Sequence, residues 1–154
     1  MVGFMSASQS ILADAKLLAT IHDHIVSWFP KEACGLLLEA KDGPKAVLAE
    51  NLADKYHRLD AETYPRTAER AYILDPMLIA RAERAGDRLV AIFHSHVRVG
   101  AYFSEEDVTQ ALSPFEKGPL YPGVEYVVFD AQDEGVVGHK VFRWDDADAG
   151  FVSC

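Results

Sequence analysis

Apolar positions first fall into a helical stripe over residues 15–29, where Leu18, Ile21, Ile25 and Trp28 recur at the right spacing. Asp14 can cap the start of this helix, and Pro30 ends it. Residues 33–39, ACGLLLE, are an apolar run of strand length. Asp42-Gly43-Pro44 marks a turn, and Ala46 to Leu48 restart as a second strand, so a hairpin is predicted. The polar stretch 52–70 predicts a long loop, a kind of segment that often carries function. Ala71 to Leu74 predicts a short strand, and Asp75-Pro76 opens a helix that Gly86 closes. Residues 88–96, RLVAIFHSH, begin as an apolar strand and turn polar at the end. A loop then leads to a helix starting near Ser104, and residues 113–123, which contain Pro114, Gly118, Pro122 and Gly123, predict another loop. Glu125–Phe129 and Val136–Trp144 predict the last two strands. Both ends, 1–8 and 146–154, are expected to fray.

This order of elements predicts an α/β fold, one mixed sheet with helices flanking it. A length of 154 residues suits a single domain, taken as 1–154, and is too short for two ordinary ones. A net charge of -9 offers no basic face for phosphates, so nucleic acid is not an expected partner. No apolar run approaches the roughly 20 residues a membrane span needs, and MVGFMSASQS does not resemble a secretion signal. With two cysteines, one inside an apolar run (Cys34) and one at the last position (Cys154), a reducing cytoplasm is the expected setting.

The chemistry concentrates in His94-Ser95-His96, Ser104 and Asp107. Strand residues at i and i+2 share a face, so both imidazoles point the same way. Asp107, in the first turn of the next helix, can fold back as a third metal ligand. Three protein ligands leave one position of a tetrahedral zinc open, the arrangement of catalytic rather than structural zinc. Glu32, at the edge of the preceding strand, is a candidate general base, and Ser104 a candidate donor to an oxyanion.

Each part also has an ordinary reading. His-x-His at a strand end arises by accident. Ser104-Glu105-Glu106-Asp107 is what a capped helix start with acidic residues looks like. Glu32 alone reads as a solvated residue and Cys34 as a small buried hydrophobe. His22 and His24 lie about 200° apart around their helix. Those two, with His57 and His139, are taken as structural or surface residues.

The combination resembles the JAMM motif of MPN-domain metallopeptidases: an upstream Glu, His-x-His, seven residues, Ser, two residues, Asp. Here these are Glu32, His94-Ser95-His96, Val97 to Phe103, Ser104 and Asp107. The string PKEACGLL around Glu32 is similar to the family's first segment, and the likeness covers roughly residues 11–144. It implies an MPN-like (cytidine-deaminase-like) fold, zinc held by His94, His96 and Asp107, Glu32 as general acid/base, and Ser104 stabilising the tetrahedral intermediate. It also implies as substrate the Gly-Gly tail of a ubiquitin-like or sulfur-carrier protein, cut at a peptide or isopeptide bond or relieved of a C-terminal amino acid. Many members have Pro where this chain has Val97 and Phe103, which bears on the shape of the loop between them. That loop and the one at 52–70 are the expected walls of a groove for the tail. Two rival readings remain: a silent MPN scaffold that binds partner proteins, and a zinc hydrolase of small amides.

Overall fold

The computed structural model describes residues 5–154. Its sheet has six strands in the order β2-β1-β3-β4-β5-β6. They are β1 (Cys34–Ala40), β2 (Gly43–Ala49), β3 (Arg88–Val97), β4 (Glu125–Gln132), β5 (Gly135–Asp145) and β6 (Gly150–Ser153). The helices are α1 (Ala7–Leu12), α2 (Ala15–Trp28), α3 (Ala53–Leu59), α4 (Met77–Arg84) and α5 (Glu105–Ala111). Only β3 and β4 run parallel; the other pairs are antiparallel, so the sheet is mixed as expected.

β3 is apolar without alternation because it lies inside the sheet with both faces covered: every residue from Val90 to His96 is buried. One face packs Phe93, Val127 and Phe129 against Ile11 and Leu12 of α1 and Ile21 and Ile25 of α2. The other packs Leu36, Leu38, Ile92 and Tyr126 against Ile79 and Ala82 of α4 and Ala111 of α5. His94 and His96 continue the alternation of Ile92 and emerge on this second face, at the end of the strand.

β1 lies close against β3 because Gly35 has no side chain. A Cβ at Gly35 would overlap the Val47 carbonyl oxygen and the ring of Phe93. Neither can retreat, one being backbone and the other fully buried. Gly35→Ala is therefore expected to cost on the order of 3 kcal/mol and lower Tm by roughly 10 °C. A wild-type Tm in that variant would mean the β1–β3 contact is looser than described.

Three expectations are corrected. The 52–70 segment is not all loop: α3 occupies its first half. With only Ala53 buried, that helix has no apolar stripe to betray it. Ala71 to Leu74 is not a strand, because its backbone partners come from elsewhere. The Asn51 side chain donates to Ala71 O and accepts from Ile73 N–H, and Ile73 O accepts from Leu52 N–H. The C-terminal tail does not fray. Residues 146–149 form a turn, and β6 beyond it pairs with β5 and seats Phe151 against Phe103, Tyr126 and Trp144. At the other end α1 begins at Ala7 under a Ser6/Gln9 capping box; residues 1–4 of the expected frayed segment lie outside the described residues.

Candidate metal centre

The alternation of β3 and the first turn of α5 bring three donors together. His94 Nε2 is 3.2 Å from His96 Nε2, and the two oxygens of Asp107 lie 3.1 Å from one imidazole each. All three residues are buried, and among the described residues they form the one cluster of His, Cys, Asp or Glu suited to a metal.

The donor set fits a cation. His96 Nδ1 lies 3.1 Å from the Gly100 carbonyl, which can only accept; Nδ1 therefore carries the proton and Nε2 presents its lone pair to the cluster. Burial pushes the His94 pKa down, against the pull of Asp107. Two neutral ring nitrogens and a carboxylate then converge with too few protons between them, and a positive ion resolves the conflict. Separations of 3.1–3.2 Å are near the ~3.3 Å between donors on a tetrahedral ion with bonds of about 2.0–2.1 Å. His94 Nδ1 is buried and has no partner among the described residues.

Asp107 is held by more than the imidazoles. Its carboxylate accepts from Ser104 N–H, while the Ser104 hydroxyl oxygen accepts from Asp107 N–H. The capped-helix reading of this segment is thus correct, and the same capping box aims the carboxylate at the histidines. Burial favours the protonated form of Asp107, but the two imidazoles beside it and the Ser104 N–H outweigh that and hold it well below the usual carboxylate range.

Glu32 is not solvated. It is 6% exposed, and its pKa is pushed up to about 9, by burial first and then by the Asp107 charge, with Arg66 opposing. Its backbone is clamped: Glu32 N–H donates to Ala68 O, and Glu32 O accepts from the Asn51 side chain. Next to it, Ala33 N–H donates to the Ser95 hydroxyl and Ala33 O accepts from Ser95 N–H. The middle residue of His-x-His therefore registers the Glu32 segment against the ligand strand. Glu32, His96 and Ser104 share a cleft of about 330 Å³, with Arg66, Glu69 and Arg70 on one wall and Val97, Val99 and Tyr102 on another. These wall residues belong to the segments 52–70 and 97–103.

Sequence reasoning missed Asn51, Tyr72 and Tyr102. Tyr72 stacks on His94 at 4.3 Å between ring centres, and Tyr102 meets His96 edge-on at 4.8 Å. Asn51 makes four hydrogen bonds, to Glu32 O, Ala71 O, Ala53 N–H and Ile73 N–H, and so places both Glu32 and Tyr72. Asn51→Ala strands those buried groups and is expected to cost about 2–4 kcal/mol in a denaturant titration. A cost under about 0.5 kcal/mol would mean that water replaces the clamp. Asn51 had no visible signal; it is a polar residue in a polar stretch.

The remaining candidates lie outside the cluster. His24 Nε2 meets Cys34 O, His57 Nδ1 meets Tyr64 O, and His22 and His139 pack on Phe129. Cys34 and Cys154 are free thiols, and burial, with the Glu32 charge, pushes Cys34 up to about 12. Phe103 anchors its loop in the ring cluster of Tyr126, Phe142 and Phe151.

The family described as prokaryotic homologs of the JAB domain matches residues 14–144. The chain belongs to this family. Two solution structures share the JAB-like fold. One, from Desulfitobacterium hafniense, is 21% identical with a TM-score of 0.61, covering 90% of this chain and 86% of that one. The other, from Salinibacter ruber, is 24% identical with a TM-score of 0.56, covering 90% and 85%. No curated protein matches the sequence. This JAB domain carries a His-His-Asp cluster consistent with a JAMM metal site. No helix among its described residues is long and apolar enough to cross a membrane.

Proposed function

We propose that this JAB-domain protein is a zinc peptidase that hydrolyses an amide bond at the Gly-Gly tail of a ubiquitin-like or sulfur-carrier protein. The observation that carries the reading is the buried donor triangle of His94, His96 and Asp107, of which His96 lines the same open cleft as the buried carboxyl of Glu32. His94, His96 and Asp107 would hold the ion. When bound, zinc supplies Lewis acidity: it polarises a carbonyl, lowers the pKa of water and favours the ionised form of Glu32.

The chain's own groups account for the rest. Glu32 takes a proton from the attacking water and hands it to the leaving amine; its raised proton affinity suits that shuttle. The Ser104 hydroxyl already accepts from Asp107 N–H, so its own hydrogen is free to donate to the oxygen of the tetrahedral intermediate. Val97, Val99 and Tyr102 give the cleft an apolar wall, and Gly residues in a substrate tail let its backbone approach the cluster unobstructed. The substrate class follows from the motif resemblance, and a cytoplasmic setting from the free thiols.

The test is to incubate zinc-reconstituted protein with a carrier protein extended beyond its Gly-Gly pair and to follow the product by mass spectrometry. Cleavage after Gly-Gly, abolished by a chelator and restored by zinc, is expected. Binding of the carrier without cleavage would favour a scaffold, and cleavage of small amides alone would favour the small-amide hydrolase.

A further inference from the structure

Two arginines, Arg66 and Arg70, line the same cleft as Glu32. They flank Ala68, which is fully buried and pinned on both sides of its peptide: Ala68 N–H donates to the Asp54 carboxylate, and Ala68 O accepts from Glu32 N–H. A turn closes the segment, with Arg70 N–H donating to Thr67 O. Both arginines are therefore mounted on a short piece of chain tied directly to the backbone of the proton shuttle. Arg66 is close enough to Glu32 to act on its charge. Arg66 is paired with Glu106 at 2.7 Å, but both side chains are about half exposed, and such a pair is easily exchanged. Arg70 has no ion-pair partner among the described residues. Glu69, also on this wall, is the one acidic side chain there besides Glu106 and Glu32.

Resting on the amide-hydrolase reading, we propose that Arg66 and Arg70 bind a free α-carboxylate on the leaving side of the scissile bond. The protein then removes a single C-terminal residue and disfavours isopeptides. Glu32 delivers its proton to the leaving nitrogen, so whatever is attached to that nitrogen lies on the Glu32 side, where the arginines are. In a peptide bond to a terminal residue, the carbon on that nitrogen bears a carboxylate. In an isopeptide it bears a lysine methylene chain, which offers a guanidinium nothing. The reaction consumes only water: the C–N bond breaks, a C–O bond forms, and the proton passes through Glu32 to the amine.

Three probes separate the cases: a peptide ending Gly-Gly-Ala with a free carboxylate, the same peptide as its C-terminal amide, and a Gly-Gly isopeptide on blocked lysine. The zinc-loaded protein is expected to cleave the acid with kcat/KM at least about tenfold above either of the others. The ratio of acid to amide should fall toward one when Arg66→Gln and Arg70→Gln are combined. Binding supplies a second readout: Glu32→Gln protein should bind the acid about tenfold tighter than the amide by calorimetry, and lose that preference when both arginines are replaced. Equal treatment of acid and amide, or a preference that survives both substitutions, overturns the proposal while leaving the hydrolase intact. No cleavage of any probe, with the carboxylate preference in binding retained, defeats the hydrolase reading instead.

Discussion

Replacing Glu32 with glutamine is expected to lower kcat by about 10²–10⁴-fold while metal content stays at the wild-type level. The substitution keeps the shape of the side chain and removes only its capacity to carry a proton. The ligand cluster and the backbone clamps on Glu32, through Ala68 and Asn51, are untouched. Loss of metal in this variant would show that Glu32 is a ligand rather than a shuttle.

The same substitution has a second consequence, for the metal-free protein. Burial pushes the Glu32 pKa up to about 9 in the folded chain, from an ordinary 4.5. Below the lower value both states hold the proton and the group is neutral toward stability. Between the two the unfolded chain has released its proton while the folded chain keeps it, so stability falls as pH rises through that window. Each pH unit there costs up to about 1.4 kcal/mol. Metal-free Glu32→Gln is therefore expected to match the wild type near pH 4.5 and exceed it by a few kcal/mol near pH 8. Thermal melts at the two pH values check this; a wild type at least as stable as the variant at pH 8 would mean that Glu32 is not desolvated.

Replacing Asp107 with alanine is expected to abolish both metal binding and activity. Its two oxygens each face one imidazole, so no other residue of the cluster can take its place. It also closes the capping box with Ser104, so the alanine variant loses a helix cap worth about 1 kcal/mol besides the ligand. Asp107→Asn separates the two roles. The amide oxygen can still accept from Ser104 N–H, but the negative charge is gone. We expect it to remain folded, with metal affinity down by more than about 100-fold, as titration with a competing chelator would measure. Near-wild-type affinity in the asparagine variant would remove Asp107 from the ligand set.

Most of the sheet, and the ligand cluster within it, were legible in the residues because their signals are local. The period of two puts His94 and His96 on one face, and a three-residue step from Ser104 to Asp107 is a helix cap whatever surrounds it. Glu32 was different. Its place at a strand edge and the likeness of PKEACGLL to a known segment singled it out, but nothing in the adjoining residues marks it as buried. Asn51, Tyr72, Arg66 and Arg70 were invisible for the same reason. Their roles depend on contacts between segments distant in the chain, made by residues that look like ordinary loop polarity. α3 lacked an apolar stripe, and the acidic turn after Asp145 concealed β6, which Phe151 anchors from beyond it.

The central claim is that His94, His96 and Asp107 hold a metal ion. Elemental analysis of the purified wild type beside His96→Ala tests it most directly. The account predicts about one zinc per chain in the wild type and a large loss in the variant. A wild type that takes up no zinc even after reconstitution, or a variant that keeps it, would contradict the account.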